Sequence, residues 1–231
     1  MTDKDPNCKC GKPRKKTFFK VLGRDVLSNW CEECEVLQKA KDLANIEIEK
    51  QAVITWAIKR EVDPEYHQAK MSDFKPEILQ LLARRDIEKG IFVWGGSGRG
   101  KTHLASAMVI QCLKSGKRAK IVELSQLIRS IKASFANQHT EEAIYRPFMK
   151  CDFLVIDDIG TTSKLGAQET VFVQDKLLTV IGKRINQKLP TMVTTNLSPE
   201  AIYSSFGERI ESRMSGFLTF KLEGRDRRKE A

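Results

Sequence analysis

Residues 90–110 read GIFVWGGSGRGKTHLASAMVI. The stretch consists of an apolar run of strand length, a glycine-rich loop and a segment of helical composition, in that order. Glycines let backbone N–H groups approach an anion closely, and the N-terminus of a following helix adds partial positive charge. A loop of this composition between a strand and a helix is typical of a Walker A motif. The stretch therefore predicts an ATP or GTP site on an α/β fold.

Two side chains of this loop have predicted roles of their own. We expect the ammonium group of Lys101 to reach the β- and γ-phosphates, and the Thr102 hydroxyl to bind Mg²⁺. The remaining positions are expected to surround the phosphates with backbone N–H groups. The predicted nucleotide-binding residues of the loop are Gly95, Gly96, Ser97, Gly98, Arg99, Gly100, Lys101, Thr102 and His103.

A second motif, FLVIDD at residues 153–158, places two acids directly after four apolar residues. Such an apolar run is typical of a buried parallel strand, and ligands bind at the carboxyl edge of a parallel sheet. We interpret Asp157 as the Walker B carboxylate that organises Mg²⁺ and its waters. Asp158 is then placed to orient or polarise the attacking water. The alternative is an acid pair that caps a helix after a core strand, and it fits the upstream loop less well.

A third strand is predicted at TMVTTN, residues 191–196, and it also ends in polar groups. Because the carboxyl ends of parallel strands meet at one sheet edge, Asn196 is a candidate partner of the γ-phosphate or of the attacking water. An asparagine at the end of a strand is also common as a simple turn residue, and this alternative stays open.

Four of the six cysteines form two close pairs near the N-terminus: Cys8 with Cys10, and Cys31 with Cys34. Four thiolates close a tetrahedral shell around zinc and leave no open position, so we expect a structural Zn²⁺ site. A segment this short buries too little apolar surface to fold alone, which explains the use of a metal. Free thiols or a redox pair are the alternatives.

The segments around and after the cysteines have simple local predictions. Between the pairs, residues 17–22 predict a short strand and residues 23–25 a turn. Residues 35–60 carry apolar side chains at spacings of three and four, which predicts a helical arm that ends before Asp63-Pro64. A further helix is expected at residues 77–89.

The division of the chain follows from these segments. We expect a zinc-binding module at residues 1–36, a helical linker at 37–61 and an ATPase domain at 62–231, with a parallel sheet flanked by helices. No apolar run reaches the roughly 20 residues of a membrane span, and the N-terminus lacks the apolar stretch of a signal peptide. We therefore expect a cytoplasmic protein with no membrane partner.

The formal net charge of +10 favours contact with a polyanion such as nucleic acid. A basic protein without such a partner is the alternative.

Four segments together carry a family resemblance: GGSGRGKTHLASA (95–107), FLVIDDIG (153–160), LPTMVTTNL (189–197) and FGERIESRM (206–214). In order and spacing they resemble the AAA+ ATPases of the initiator branch, specifically the DnaC/DnaI family of bacterial and phage helicase loaders. The resemblance covers roughly residues 62–228. The cysteine module before a helical linker is similar to the zinc-containing N-terminal domain of the DnaI branch.

The resemblance implies roles for further residues. Asn196 matches sensor 1. Arg213 matches the arginine finger, which reaches the ATP of a neighbouring subunit, and Arg209 matches its accompanying arginine. A guanidinium delivered from a neighbour stabilises charge on the γ-phosphate and makes ATP a link between subunits. From the sequence alone, Arg209 and Arg213 equally fit a solvated helix face with Glu208 and Glu211.

Other matches to the family are weaker. Arg228 is a candidate for sensor 2. Residues 126–150 are long enough for the extra helix of the initiator branch, where Arg129 and Lys132 are candidate contacts of single-stranded DNA. Asp158 departs from the commoner glutamate and is one methylene shorter, which favours slow turnover and a switch rather than a motor.

The function implied by the resemblance is that of an ATP-dependent helicase loader. Such a protein uses ATP, Mg²⁺ and Zn²⁺, binds a replicative DNA helicase and single-stranded DNA, and forms homo-oligomers through ATP-bridged interfaces. The small size fits a phage-encoded loader in a bacterial cell. The alternatives are an IstB-like transposition helper ATPase, a P-loop kinase of a small metabolite, and a metal-stapled DNA-binding protein with a vestigial ATPase.

Overall fold

The fold is taken from a computed structural model of the chain. It describes residues 8–13, 19–21, 24–26, 31–83, 88–136, 140–160, 167–224 and 226. The predicted sensor 2 residue, Arg228, lies outside the described residues. The chain divides into two compact units, Met1–Thr55 and Trp56–Ala231.

The first unit contains a short hairpin and most of a long helix. Strands β1 (Phe19–Val21) and β2 (Arg24–Val26) pair antiparallel, with Val21 opposite Arg24. The predicted strand at 17–22 is thus confirmed for residues 19–21. The predicted turn at 23–25 is wrong for its last two residues, which belong to β2, because the antiparallel register continues through them.

Helix α1 (Glu32–Glu61) begins directly after Cys31 and contains Cys34. Its first turn is acidic and its last turn carries Lys59 and Arg60, so both ends complement the helix dipole. It stops just before Asp63-Pro64, as expected from the conformational restriction before proline. The predicted helical arm is therefore confirmed, whereas the proposed boundaries at residues 36 and 61 stay predictions.

The second unit is built on a parallel sheet. Within the described residues its five strands run in the order β4-β5-β6-β3-β7, and every neighbouring pair is parallel. The strands are β3 (Ile91–Trp94), β4 (Ala119–Glu123), β5 (Phe153–Ile159), β6 (Thr191–Thr195) and β7 (Leu218–Lys221). The three predicted strands are the central ones, with β6 between β5 and β3, so their carboxyl ends meet at one edge of the sheet.

Helices cover both faces of this sheet. They are α2 (Pro76–Leu82), α3 (Lys101–Lys114), α4 (Leu124–Ala136), α5 (Glu141–Lys150), α6 (Ala167–Asn186), α7 (Pro199–Phe206) and α8 (Glu208–Met214). One buried cluster includes Leu104 of α3 and Leu82 of α2, and the other includes Leu127 of α4 and Leu177 of α6. Two packed faces explain why β3 and the first four residues of β5 are entirely apolar.

Two sequence predictions about helices change in detail. The helix expected at 77–89 ends at Leu82, and Glu88 and Lys89 lie in a separate 3-10 turn. The segment 126–150, predicted to be long enough for an extra helix, holds most of α4 and all of α5. Among the described residues, none of the helices combines the length and apolar character needed to cross a bilayer.

Candidate nucleotide site and cysteine cluster

The glycine-rich loop connects β3 to α3, as the sequence predicts. Gly95 has φ +147 and Gly100 has φ +87, both in the region that side chains with a Cβ rarely adopt. A Cβ on Gly95 would lie 2.5 Å from the carbonyl oxygen of Leu222, which follows β7. The loop therefore requires glycine both for its backbone turn and for its close approach to the neighbouring strand.

Lys101, the first residue of α3, is buried, and its ammonium group turns back into the loop. Its Nζ donates to the carbonyl oxygens of Gly95 and Gly96, each at 2.9 Å. It also donates to Oδ1 of Asn196 at 2.5 Å. A single positive charge thus links the loop after β3 to the residue that follows β6.

The Thr102 hydroxyl donates to Oδ2 of Asp157 at 2.9 Å. Asp157 is buried near the end of β5, and its other oxygen accepts a hydrogen bond from the Thr194 hydroxyl of β6. A hydroxyl and a carboxylate that converge in this way are oxygen ligands of the type Mg²⁺ prefers. Thr194 lies in the third predicted strand but is not among the predicted site residues.

Asp158 lies at an irregularity of β5. The pairing with β6 shifts between Ile156 and Ile159, and Asp158 has a left-handed φ of +53. Its backbone N–H donates to Thr194 Oγ1 at 3.0 Å, and its Oδ1 accepts from Asn196 Nδ2 at 3.2 Å. Burial raises the pKa of the Asp158 carboxyl, and the nearby Asp157 carboxylate raises it further, against the opposing charge of Lys101.

These residues open onto a cavity of about 1100 Å³ at the carboxyl edge of the sheet. Its lining includes residues 59–66, Glu123 and Arg129. Lys120 of β4 also lines it and contacts Glu61, with its Nζ 2.8 and 3.0 Å from the two carboxylate oxygens. Arg129, predicted to contact DNA, thus lies on the cavity wall. Lys132 lies elsewhere, with its Nζ 6.0 Å from the centre of the Phe172 ring.

Three predicted residues have contacts of another kind. The His103 ring contacts Asp73, with Nε2 2.7 Å from Oδ2, whereas Lys101 contacts Gly95, Gly96 and Asn196. The Arg99 guanidinium donates to the carbonyl of Gly224. Arg213 lies on α8 against α6, since a Cβ on Gly182 would come within 2.5 Å of Arg213 Nη1. Arg209 and Arg213 are not among the described residues that line the cavity.

The two cysteine pairs come together in the first unit. The sulfur atoms of Cys8, Cys10, Cys31 and Cys34 all lie within 4.8 Å of one another. Cys10 Sγ and Cys31 Sγ are 3.4 Å apart, far beyond the roughly 2.05 Å of a disulfide. Four sulfurs about 3.8 Å apart are expected around a tetrahedral Zn²⁺, so the donor set fits the predicted ion.

The pKa values of Cys8 and Cys34 are shifted in opposite directions. Hydrogen bonds from the backbone at Cys10 and Cys31 lower the pKa of Cys8 to about 6. Hydrogen bonds with the neighbouring sulfurs, that of Cys10 first, raise the pKa of Cys34 to about 12. Four thiolates so close together repel one another, and a divalent cation is the counter-charge that lets all four ionise.

Comparison with known proteins gives a consistent result. A model of the family described as IstB-like ATP binding protein matches residues 48–213. The replicative helicase loader DnaC of Escherichia coli strain K12 is 31% identical over 137 residues, which are 58% of this chain and 54% of that protein. The replicative helicase loader DnaI of Bacillus subtilis strain 168 is 29% identical over 154 residues, or 61% of this chain and 48% of that protein.

A solved structure has a similar fold. The crystal structure of the DnaC helicase loader superposes with a TM-score of 0.55 at 22% identity, over 69% of this chain and 98% of that one. This agreement confirms the predicted AAA+ P-loop fold. The chain spans about half the length of the curated relatives it matches.

Proposed function

The chain belongs to the family of IstB-like ATP-binding proteins, and on this premise we propose that it is an ATP-dependent loader of a replicative DNA helicase. The observation that carries the ATPase part is the convergence of Lys101, Thr102, Asp157 and Asn196 on one cavity. The loader part is supported by the similarity to DnaC and DnaI, which are named replicative helicase loaders.

The chain supplies a pre-formed receptor for a triphosphate. Backbone N–H groups of the glycine-rich loop and of the first turn of α3 would face the phosphates, and the Lys101 ammonium would offset their charge. Thr102 and Asp157 are the residues that would hold Mg²⁺, directly or through water. When bound, the ion neutralises charge that develops on the phosphates.

Asp158 and Asn196 follow two adjacent strands and hydrogen-bond each other, and we assign to them the positioning of the attacking water. The Asp158 side chain is short and already engaged, which fits slow hydrolysis that times release of the loader rather than driving motion. In this proposal Arg213 acts on the ATP of a neighbouring copy. Its position on α8 away from the cavity of its own chain supports action between subunits.

The first unit is proposed to bind the helicase. It combines a cysteine cluster fit for zinc with a helix that exposes Val36, Leu43, Ile48 and Val53. Exposed apolar side chains in such number are typical of a partner-binding surface.

Co-purification tests the loader proposal. Full-length protein and a variant that lacks the first unit, residues 1–55, are mixed with the host's replicative helicase, with ATP and Mg²⁺ present. We expect the full-length protein to bind the helicase, and the truncated variant to bind ATP but no helicase. If the full-length protein binds ATP but does not bind the helicase, the loader function is contradicted, whereas the proposed ATPase activity is not.

A second candidate is a transposition helper ATPase, because the matching family is described as IstB-like. It shares the nucleotide site and would act on a transposase and duplex DNA. The same pull-down with a transposase in place of the helicase discriminates the two functions.

A metabolite kinase has no use for an arginine in a neighbouring subunit, so loss of ATP-dependent assembly in Arg213→Ala argues against that class.

A further inference from the structure

His103 follows Thr102 directly in α3 but makes its contacts outside the phosphate loop. Its Nε2 lies 2.7 Å from Oδ2 of Asp73, the last residue of a 3-10 turn at Met71–Asp73. Two rings enclose the imidazole: that of Tyr66 edge-on at 6.0 Å and that of Phe74 tilted at 5.5 Å. One side chain of the helix that begins at the phosphate loop therefore holds three residues of the segment 66–74.

Of this segment, Tyr66 lines the nucleotide cavity. Val62, Pro64, Tyr66 and His103 are among its lining residues. The same cavity is also lined by the polar or charged residues Lys120, Glu123, Gln126 and Arg129. A purine base presents flat apolar faces, and the rings of Tyr66 and Pro64 match such faces better than these side chains do.

We propose that His103 is a positioning residue for the base of the nucleotide, acting through Asp73 and Tyr66. This inference rests on the proposed ATP binding and adds the device that shapes the base end of the site. The hydrogen bond to Asp73 fixes segment 66–74 against α3, and the contact of the imidazole with Tyr66 sets the position of that ring. The phosphate end is built by the loop and Lys101, and it does not depend on this contact.

The separation of the two ends yields a specific expectation. Removal of the His103–Asp73 contact weakens the binding of ligands that carry a base. It leaves the binding of inorganic tripolyphosphate unchanged, because that ligand occupies the phosphate end alone. A merely structural role of His103 would weaken both ligands together, since Thr102 is its direct neighbour.

The test measures dissociation constants of ATP and of tripolyphosphate, both with Mg²⁺, by calorimetry. The variants are His103→Ala, His103→Gln, Asp73→Asn, the double variant His103→Ala/Asp73→Asn and Lys101→Ala. Glu77→Gln, an exposed acid on α2, is the matched control for Asp73. We expect His103→Ala and Asp73→Asn to weaken ATP about tenfold, the scale of one hydrogen bond with its packing. The double variant should be no worse than either single one, and His103→Gln should recover part of the loss.

Each outcome decides the proposal. An equal loss for ATP and tripolyphosphate overturns it, and so does unchanged ATP affinity in His103→Ala. Lys101→Ala should lose both ligands, which marks the phosphate end. If the wild-type protein bound neither ligand, the proposed nucleotide binding itself would fall, together with this inference. His103→Gln keeps a hydrogen-bonding side chain of similar reach, so a folding defect in the alanine variant does not hide the answer.

Discussion

The hydroxyl of Thr194 lies between two consecutive acids, and its bond to Asp157 joins strands β6 and β5 at the centre of the nucleotide site. It donates to Oδ1 of Asp157 and accepts the backbone N–H of Asp158 at 3.0 Å. The hydrogen bond that Thr194 donates holds the Asp157 carboxylate with its other oxygen toward Thr102. The hydrogen bond that Thr194 accepts supports the left-handed backbone at Asp158. One buried side chain therefore positions both proposed catalytic acids.

Thr194→Val tests this relationship because it removes the hydroxyl and keeps the shape. We expect ATP hydrolysis to fall between about tenfold and a hundredfold, the usual range when a residue that orients a metal ligand is removed. ATP affinity should change little, since Lys101 and the loop are untouched. Thr195→Val is the matched control, because its hydroxyl accepts from the Leu197 N–H and contacts neither acid. Equal losses in both variants would contradict the role of Thr194.

The parts of the site that could be predicted are those whose motifs consist of residues close together in the sequence. A strand, a glycine loop and a helix follow one another in residues 90–110, and Asp157 follows directly after an apolar run. Each motif can therefore be recognised from its immediate neighbours in the sequence. Thr194 could not be singled out this way. Its hydroxyl serves Asp157 only through the register of β5 against β6, and a threonine inside a strand is otherwise unremarkable.

The contact of His103 with Asp73 was missed for a similar reason. The two residues are 30 positions apart, and Asp73 lies in a short 3-10 turn without periodicity. The backbone N–H contact of His103 with the phosphates stays a prediction, whereas the contact of its ring with Asp73 was not predicted. The edge strands β4 and β7 were also not predicted, because each is four or five residues long and interrupted by lysine or threonine.

Removal of zinc tests the cysteine cluster. We expect one zinc ion per chain by mass spectrometry of the purified protein, and its loss in Cys34→Ser or after strong chelation. Because the metal binding energy of such sites is folding energy, the first unit should then lose its protection from proteolysis. ATP binding by the second unit should persist. Cys112→Ser, outside the cluster, serves as the control and should keep the metal; a full zinc content in Cys34→Ser would count against the site.

Assembly through Arg213 is tested by mixing two inactive variants. Arg213→Ala keeps its own loop and should bind ATP, yet it should neither assemble with ATP nor hydrolyse it. Lys101→Ala cannot hold ATP but retains its arginine. If the arginine acts on a neighbour, a mixture of the two forms interfaces with an intact loop on one side and Arg213 on the other. We therefore expect hydrolysis to return in the mixture to a measurable fraction of the wild-type rate.

The control for this experiment is the double variant Lys101→Ala/Arg213→Ala, which should restore no hydrolysis when it is mixed with either single variant. Arg209→Ala, one helical turn before on α8, shows whether the effect belongs to Arg213 alone or to the pair. A mixture of the single variants that remains inactive while both still associate would place the arginine in a structural role against Gly182.

A patch on α4 and α6 is the candidate surface for single-stranded DNA. The ammonium groups of Lys132 and Lys176 lie 6.0 and 5.2 Å from the centre of the Phe172 ring, so one aromatic ring and two cations form the patch. Aromatic rings flanked by cations suit the bases and phosphates of an unpaired strand. We therefore predict that Lys132 and Phe172 contribute to DNA binding in different ways, the first through a phosphate and the second through a base.

Lys132→Ala tests the phosphate part of this prediction with an oligothymidylate probe titrated at several salt concentrations. Removal of one phosphate partner should reduce the salt slope of binding to a single strand by about 0.7, because one counterion fewer is released. Lys114→Ala is the matched control and should keep the slope, since Lys114 is exposed on α3, which packs on the other face of the sheet. An equal salt slope of DNA binding in the wild type and in Lys132→Ala would contradict a contact between Lys132 and a DNA phosphate. Phe172→Leu separately reports whether the ring stacks on bases, because it should weaken binding at every salt concentration without changing the slope.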